Sequence, residues 1–275
     1  MDSAEVGEFG VAAVAIAREA GAILLESLGR VERVMFKGRI DLVTEVDQRS
    51  EAAIVAALTA RFLEHRIVAE EGSGRAGGAS PYRWLIDPLD GTTNYAHAFP
   101  HFAVSIALQH DEETIVGVVY DPVKDELFRA ERGGGARLND RPLRPSETAE
   151  LIRGLLATGF PYNAAHRPLA LARWAAFTHT AQALRRTGSA ALDLCYVAAG
   201  RFDGFYEDQL GPWDCAAGAL IATEAGGRVS DYRGAPFDPF RGELVASNGP
   251  LHDALLAVLG ETERQGAAGA RAGGG

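Results

Sequence analysis

The N-terminal part of the chain carries apolar residues at the spacing of two amphipathic helices. The first predicted helix spans residues 5–28, and its apolar positions recur every three or four residues. The second predicted helix follows Asp47 with the same spacing. The apolar stripe of the first helix consists of Phe9, Ala13, Ile16, Ala20 and Leu24, and that of the second of Ile54, Leu58 and Phe62. Each helix therefore has one face to bury.

Short apolar runs predict strands in the rest of the chain. Two of them, residues 66–70 and 83–87, end in a carboxylate. Residues 102–121 hold two β-rich runs, and residues 126–138 contain a glycine triplet, 133–135, at the expected position of a hairpin turn. In the second half, predicted strands near 153–158, 183–187, 203–207, 227–230 and 243–247 alternate with predicted helices near 167–180, 189–200, 213–225 and 250–259. That alternation favours a layered α/β fold.

The chain contains no internal repeat and no linker rich in Pro and Ser. The segment 141–150 is the best candidate for a boundary between an N-terminal half, 1–145, and a C-terminal half, 146–262. The last residues, 263–275, are rich in Gly and Ala, and this composition predicts a disordered tail.

The charge balance narrows the possible partners. The 275 residues include 27 Lys and Arg against 37 Asp and Glu, a formal net charge of −10. Nucleic acids and anionic membranes select basic surfaces, so neither is expected as a partner. There is no basic N-terminal region followed by an apolar stretch and no apolar run of membrane-spanning length, so we expect a cytoplasmic protein. Cys195 and Cys215 do not suggest a disulfide framework, and we expect both to be buried.

The segment D-P-L-D-G-T-T-N, which begins at Asp87, contains the largest group of candidate metal ligands and anion-binding groups. Asp87 precedes a proline, so its backbone is expected to be extended, at the end of a strand. Gly91 permits a tight turn, and Thr92 suits the start of a helix. Asp87 and Asp90 would repel each other unless a divalent cation lay between them. The Leu89 carbonyl could join as a ligand, and the N–H groups of Gly91 and Thr92 could bind an anion.

Three further acidic residues stand at the ends of predicted elements. Glu70 ends a strand, and Asp47 and Asp214 each stand at the start of a helix. Each has an ordinary structural explanation as a solvated strand end or as a carboxylate favoured by the helix dipole. The segment at Asp87, taken alone, is also typical of a charged surface turn. A metal site requires these acids to converge in the fold, and their spacing leaves that open.

Four motifs in one order resemble the inositol monophosphatase family of magnesium-dependent, lithium-sensitive sugar phosphatases. They are D-L-V-T-E-V-D from Asp41, A-E-E-G from Ala69, W-L-I-D-P-L-D-G-T-T-N-Y from Trp84 and P-W-D-C-A-A-G from Pro212. The resemblance covers nearly the whole chain, from about residue 5 to residue 258, and includes F-P-H-F-A-V-S-I-A-L and R-R-T-G-S-A-A-L-D-L. It implies a five-layer αβαβα sandwich and a homodimer.

The resemblance also implies two or three Mg²⁺ ions in each site. The first would be held by Glu70, Asp87 and the Leu89 carbonyl. The second would be held by Asp87, Asp90 and Asp214, and a third, weaker one would involve Glu70. All of these ligands are oxygen donors, which independently suits Mg²⁺ better than Zn²⁺.

The implied reaction is hydrolysis of a phosphate monoester by direct attack of a metal-bound water. Thr92, hydrogen-bonded to Asp47, would orient this water together with Glu70 and help to accept its proton. A covalent aspartyl phosphate is the competing chemistry, and we disfavour it because every acid of the set already has a ligand role.

The resemblance implies that Glu207 binds the leaving group, because its carboxylate would accept hydrogen bonds from substrate hydroxyls. The residues implied in substrate binding are Asp90, Gly91, Thr92, Gly188, Ser189, Ala190, Glu207 and Asp214. An anionic acceptor suits a polyol better than a second phosphate, which favours inositol 1-phosphate. Asp208 and Gln209 follow Glu207 where the family more usually has an apolar residue and a glycine, and this departure leaves the substrate open.

Other functions compete with this hypothesis. Related family members act on fructose 1,6-bisphosphate, histidinol phosphate or 3′-phosphoadenosine 5′-phosphate. A non-catalytic regulatory protein on the same fold is a further alternative, although it should show gaps in the acid set and this chain shows none. Lys37 either assists phosphate or metal entry or is only a solvated charge. His97 and His101 have no partner at ligand spacing, and we expect them to pack within their loop.

Overall fold

The computed structural model describes residues 3–38, 41–74 and 79–272. Its helices are α1 (Ser3–Ser27), α2 (Glu45–Arg61), α3 (Thr92–Ala96), α4 (Arg167–Thr180), α5 (Ala190–Ala198), α6 (Pro212–Glu224) and α7 (His252–Ala272), with 3₁₀ turns at Leu151–Arg153, Ala164–His166 and Pro239–Arg241. Both predicted N-terminal helices are present. In the part of the chain that the structure describes, no helix is both long and apolar enough to cross a membrane.

The larger sheet has seven strands. They are β3 (Arg66–Ala69), β4 (Tyr82–Asp90), β5 (Ala103–His110), β6 (Glu113–Asp121), β7 (Glu126–Glu131), β8 (Gly135–Leu138) and β9 (Arg141–Pro142), in spatial order β3-β4-β5-β6-β7-β8-β9. β3 runs parallel to β4, and each later pair is antiparallel. Gly133, with φ +76°, lies in the turn between β7 and β8, as the glycine triplet predicts.

The smaller sheet has five strands and is formed by the second half of the chain. They are β10 (Leu155–Thr158), β11 (Ala183–Arg185), β12 (Gly204–Asp208), β13 (Arg228–Ser230) and β14 (Glu243–Ser247), in spatial order β11-β10-β12-β14-β13. A separate antiparallel pair, β1 (Val34–Phe36) and β2 (Leu42–Thr44), precedes α2. The sequence analysis did not predict this pair, because its strands have only three residues each and no clear alternation.

The helices cover both faces of each sheet and create five layers. α1 and α2 pack on one face of the seven-stranded sheet. α5 and α6 lie between the two sheets, and α4 and α7 cover the outer face of the five-stranded sheet. The resulting order of layers is αβαβα, so the predicted five-layer sandwich is confirmed.

Small residues allow the central layer to pack closely. A Cβ atom added at Gly117 of β6 would lie 2.7 Å from the Ala217 carbonyl oxygen of α6. One added at Gly218 would lie 2.7 Å from the Cβ atom of Leu194 in α5. Contacts this short leave no room for a methyl group. The Ala- and Gly-rich face of α6 therefore holds Asp214, at its N-terminal end, at a fixed position between the sheets.

Two predicted boundaries differ from the structure. β4 does not end at Asp87 but continues to Asp90, with a register irregularity between these residues in its pairing with β5. The C-terminal helix was predicted to end near residue 259, yet α7 extends to Ala272, into the predicted disordered tail. Ala, Glu, Arg and Gln are good helix formers, which accounts for the longer helix. Residues 273–275 lie outside the described residues.

A buried histidine makes stability depend on pH. His252 is fully buried, with Nε2 2.8 Å from the Ser230 hydroxyl and Nδ1 3.0 Å from the Ser247 hydroxyl. The Ser230 hydroxyl donates to the Asp231 carbonyl, so it accepts from Nε2, and the neutral imidazole is fully satisfied. Burial, together with the charge of Arg228, lowers the pKa of His252 to about 4.

We expect the contribution of His252 to the free energy of unfolding to fall as the pH drops. The unfolded chain takes up a proton on His252 near pH 6.5, whereas the folded chain takes it up only near pH 4. The folded state therefore loses about 2 kcal/mol between pH 8 and pH 5. Urea unfolding of a His252→Gln variant should lack this part of the pH dependence. An equal slope in variant and wild type would contradict the assignment.

Candidate active site

A cavity of about 240 Å³ opens between the two halves of the chain. It is lined from the N-terminal half by the segment that begins at Asp87 and from the C-terminal half by the starts of α5 and α6 and the end of β12. The predicted site residues that line it are Glu70, Asp87, Leu89, Asp90, Gly91, Thr92, Gly188, Ser189, Ala190, Glu207 and Asp214. Asp47 lies outside this lining and is buried.

The end of β4 shapes one wall of the cavity. The Asp87 carboxylate accepts a hydrogen bond from the Leu89 N–H at 2.9 Å, which folds the strand back on itself at the register irregularity. Gly91 follows with φ +100°, and a Cβ atom there would lie 3.1 Å from the His101 carbonyl oxygen and 3.2 Å from that of Gly188. Glycine is therefore required by both conformation and space. α3 begins immediately after it, at Thr92.

Three carboxylates meet at this wall. Glu70, Asp87 and Asp214 each offer one oxygen atom, and these three atoms lie within 4.8 Å of one another. Glu70 follows β3, and its N–H donates to the Ile86 carbonyl at 3.2 Å, which places it next to Asp87 across the sheet. Asp214 is the third residue of α6, and its carboxylate accepts from the Gly211 N–H at 2.6 Å. Residues far apart in the chain therefore share one site.

The electrostatics of this cluster favour a bound cation. Burial, followed by the charges of Glu70, Asp90 and Asp214, raises the pKa of Asp87 well above its ordinary value. Burial and the charge of Glu70 raise the pKa of Asp214 in the same way. Ionised carboxylates in such a cluster destabilise each other unless a positive charge lies among them.

The donor set fits a hard divalent cation. Oxygen ligands lie 2.0–2.1 Å from Mg²⁺ and 2.3–2.6 Å from Ca²⁺, so two oxygens on opposite sides of such an ion are about 4–5 Å apart. The three clustered carboxylate oxygens lie within 4.8 Å of one another, which is close enough for all three to bind one such ion. All are oxygen atoms, with no imidazole or thiolate among them, which disfavours zinc and copper.

Asp90 lies in the same cavity with different partners. Its Oδ2 accepts from the Ser189 hydroxyl at 2.6 Å and from the Ala191 N–H at 2.8 Å, so it joins β4 to the start of α5. Burial raises its pKa to about 6 although these hydrogen bonds lower it. Among the described residues, Asp90 is not part of the group of carboxylates within 4.8 Å. Its role as a metal ligand stays a prediction.

A buried chain of hydrogen bonds supports Thr92. The Thr92 hydroxyl lies 2.9 Å from Oδ1 of Asp47 and 3.1 Å from the Leu89 carbonyl oxygen. Asp47 is in turn fixed by the backbone N–H of Thr44 at 2.9 Å and by the Thr44 hydroxyl at 2.5 Å. With its proton donated inwards, the Thr92 oxygen can accept a hydrogen bond from a water in the cavity. The predicted contact between Thr92 and Asp47 is present.

The sequence left the role of Lys37 open. In the structure this residue pairs with the acids at the edge of the site. Its ammonium group donates to Glu70 at 2.9 Å and to Glu71 at 2.5 Å. Sequence reasoning missed Glu51, which is buried and accepts from the Glu71 N–H at 2.7 Å and the Ser73 N–H at 2.8 Å. Glu51 follows Asp47 by one helical turn on α2, and this spacing was a usable signal.

The far side of the cavity contains Glu207. A Cβ atom at Gly159 would lie only 1.9 Å from Oε1 of Glu207, so the glycine makes room for this carboxylate. Burial raises the pKa of Glu207 to about 8, although the charge of Arg186 lowers it. Gly159, Tyr162 and Arg186 also line the cavity and were not predicted from the sequence. Arg186 lies in the segment R-R-T-G-S-A-A-L-D-L, whereas no motif marks Gly159 or Tyr162.

The other residues weighed at the sequence level lie away from the acid cluster. Cys195 and Cys215 are both fully buried, as expected. His101 is buried in the loop after α3, and burial lowers its pKa to about 4, so it is neutral at ordinary pH. Among the described residues neither His97 nor His101 lines the cavity.

Comparison with known proteins gives consistent matches along the chain. The profile described as "Inositol monophosphatase family" matches residues 6–264. A curated "Inositol-1-monophosphatase" of Synechocystis sp. is 46% identical over 249 residues, covering 88% of this chain and 85% of the relative. A "Nus factor SuhB" of Vibrio cholerae is 46% identical over 253 residues, covering 90% and 94%.

Solved structures share the fold. The extragenic suppressor protein suhB of Bartonella henselae superposes with a TM-score of 0.87 at 41% identity, covering 90% of this chain and 96% of that chain. An inositol monophosphatase of Anabaena superposes with a TM-score of 0.85 at 42% identity, covering 94% and 97%.

Proposed function

Because the chain belongs to the inositol monophosphatase family, we propose that it hydrolyses the phosphate monoester of a polyol, inositol 1-phosphate, in a Mg²⁺-dependent reaction. The observation that carries the proposal is the convergence of Glu70, Asp87 and Asp214 within 4.8 Å, in a cavity whose wall also carries Thr92 bonded to Asp47. A regulatory protein without catalysis has no need for this arrangement of buried, mutually repelling acids.

The acid cluster would hold the cations. Glu70 and Asp87, with the Leu89 carbonyl, would form one cation site, and Asp87, Asp90 and Asp214 a second. Bound Mg²⁺ supplies Lewis-acid charge to the phosphoryl oxygens and lowers the pKa of a water ligand. No histidine or cysteine is needed in this scheme, which agrees with the oxygen-only donor set.

The remaining steps belong to side chains and backbone groups of this chain. Thr92, with its own proton held by Asp47, would accept a hydrogen bond from the attacking water and orient it towards phosphorus. Glu70 would take up the released proton. The N–H groups of Gly91 and Thr92 would donate to the phosphoryl oxygens, and Glu207 would accept from hydroxyls of the leaving group.

Phosphate release from a substrate panel tests the proposal. We expect release from inositol 1-phosphate with Mg²⁺, none with a chelator, and less with added Li⁺. Fructose 1,6-bisphosphate, histidinol phosphate and 3′-phosphoadenosine 5′-phosphate should give lower kcat/KM values. A higher value for one of these would replace the proposed substrate, and release without metal would overturn the cation dependence. In ¹⁸O-labelled water, label in an aspartate before it appears in phosphate would overturn direct attack.

Removal of the Glu207 carboxylate should weaken binding of the polyol. Each hydrogen bond from a substrate hydroxyl contributes about 1 kcal/mol, so the loss of one or two of them in Glu207→Ala should raise KM for inositol 1-phosphate about tenfold. The value of kcat should change little, because the cation-binding acids stay in place. Steady-state kinetics with Mg²⁺ measure both constants. An unchanged KM would show that the leaving group binds elsewhere.

A second candidate function rests on the relatives. One protein 46% identical to this chain is named a Nus factor, so a regulatory role without catalysis is the alternative. A chain that kept the fold only for regulation would release no phosphate in the panel assay.

We further propose a homodimer in the cytoplasm. Phe99 is 54% exposed in the loop after α3, and Leu171 of α4 is 56% exposed, so apolar surface is available for an interface. Light scattering of the purified protein should give twice the 29.2 kDa of one chain.

A further inference from the structure

Asp208 is the residue at which the sequence departs from the family pattern, and the structure gives it an unexpected environment. It is the last residue of β12 and directly follows Glu207. As an added acid at the rim of the cavity, it would compete with Glu207 for substrate hydroxyls and repel a phosphate. Asp208 is among the residues that line the cavity, but its side chain is only 14% exposed and its carboxylate is paired with the buried guanidinium group of Arg173.

Alternation along β12 separates the two acids. Successive side chains of a strand point to opposite faces of its sheet. Phe205 packs in the core with α5 and α6, whereas Tyr206 packs with Phe177 of α4 on the outer face. Glu207 therefore belongs to the inner face, towards α6 and Asp214.

Arg173 holds Asp208 on the outer face. It lies in the middle of α4 and is 3% exposed. Its Nη1 donates to Oδ2 of Asp208 at 2.7 Å, and its Nη2 donates to Glu263 of α7 at 3.4 Å. Its guanidinium group lies over the Tyr232 ring, 4.5 Å from the centroid. A buried guanidinium with two carboxylate partners is geometrically well defined, because its planar fork fixes both.

The end of β12, which is fixed through Asp208, also leads to α6, the helix that carries Asp214. Gln209 follows Asp208 with φ +65°, a left-handed conformation that is costly for a residue with a side chain. The Leu210 N–H then donates to the Gly242 carbonyl at 3.0 Å. Two residues later the chain enters α6. The anchored position of Asp208 therefore sets the start of this sharply turned connection.

We propose that Arg173 is a positioning residue for leaving-group binding: it holds the Asp208 carboxylate on the outer face, against α4 and α7, and leaves Glu207 as the carboxylate of this strand end that receives substrate hydroxyls. The inference rests on the proposed function, because it takes Glu207 as the acceptor of substrate hydroxyls. Without Arg173, the Asp208 carboxylate has lost its buried counter-charge and moves towards water at the cavity rim. The end of β12 then shifts, and Glu207 shifts with it.

Kinetics with two substrates test this role. Inositol 1-phosphate has a leaving group with hydroxyls for Glu207, and p-nitrophenyl phosphate has none. Arg173→Met should raise the ratio of the KM for inositol 1-phosphate to that for p-nitrophenyl phosphate about tenfold, with kcat for both within about twofold. Arg173→Lys keeps one charge without the planar fork, and it should raise the ratio about threefold.

Controls separate this role from a general structural effect. Arg228 pairs with Asp253 at 2.8 Å at the surface of the same sheet, so Arg228→Met should leave the ratio unchanged. Equal KM increases for both substrates in Arg173→Met, or an unchanged ratio in the folded variant, would overturn the inference. Should that variant fail to fold, an unchanged ratio in Arg173→Lys overturns it.

Glu207→Ala in the same assay separates the two proposals. If it raises the ratio and Arg173→Met does not, only the positioning role is wrong. If Glu207→Ala leaves the ratio unchanged, the assignment of the leaving group is wrong and the positioning role is rejected with it.

Discussion

Asp87→Asn should abolish catalysis and at the same time stabilise the metal-free protein. Asp87 is central to the acid cluster, so its loss should reduce kcat/KM about 1000-fold, equivalent to roughly 4 kcal/mol of transition-state stabilisation. Burial and three neighbouring carboxylates raise its pKa, which means that its charged form destabilises the folded chain at neutral pH. The neutral amide removes that repulsion and can still accept from the Leu89 N–H. We expect the Tm without metal to rise by about 3 °C or more.

The pH dependence of stability provides a second test of the Asp87 carboxyl. Because the folded-state pKa of Asp87 is raised, the contribution of this carboxyl to the stability of the metal-free wild type becomes more favourable as the pH falls from 7 towards 5. The variant should gain less over this range. Thermal denaturation with a chelator and with Mg²⁺ measures both effects, and Mg²⁺ should raise the Tm of the wild type more than that of the variant.

Asp121→Asn is the matched control. Asp121 is also fully buried, yet it accepts from the Val123 and Lys124 N–H groups at 3.0 Å and forms an ion pair with the Lys124 ammonium group. Its substitution should lower the Tm and leave the response to Mg²⁺ intact. If Asp87→Asn also lowers the Tm of the metal-free protein, the acid cluster is not held under mutual repulsion.

Thr92→Val should reduce kcat about 100-fold with KM within about twofold. Valine keeps the shape of threonine but cannot orient the attacking water, and a misoriented reactant can cost about 100-fold in rate. The substitution also leaves Oδ1 of the buried Asp47 without its hydroxyl partner at 2.9 Å. The free energy of unfolding should therefore fall by about 1–3 kcal/mol. Single-turnover and steady-state kinetics, with urea unfolding, measure these effects.

Thr92→Ser is the control for the hydroxyl itself. It retains the hydrogen bond to Asp47, so kcat should stay within about fivefold of the wild type. A Val variant that keeps its kcat, or that changes KM alone, would show that Thr92 does not orient the attacking water and is only a structural contact of α3.

Much of the fold could be predicted from local patterns. The apolar stripe of α1 and the carboxylate-ended runs of β3 and β4 have the periods of a helix and of strands, and these periods decide which face is buried. The ends of the elements were harder to predict, because the residue at which a strand ends depends on the strands that pair with it. β4 extends past Asp87 since β5 continues to pair with it up to Asp90.

The candidate site could be predicted only where a motif marks it. Glu70, Asp87, Asp90, Asp214 and Glu207 stand in recognisable segments. Residues that act by shape or by a remote contact carry no such mark: Gly159 makes room for the Glu207 carboxylate, Glu51 fixes the loop after Glu70, and Arg173 holds Asp208. Their partners are 20 or more residues away along the chain.

The sequence by itself determined the layered α/β class, the acidic donor set and the family to which the motifs belong, because periodicity and residue type are local properties. Only the tertiary structure decided that Glu70, Asp87 and Asp214 share one cluster, that Asp90 also joins the start of α5, and that the Asp208 carboxylate pairs with Arg173. These outcomes depend on how the helices between the two sheets align the ends of distant strands. That packing brings the carboxylates close together. Only at this short separation do they repel one another strongly enough to favour a bound cation.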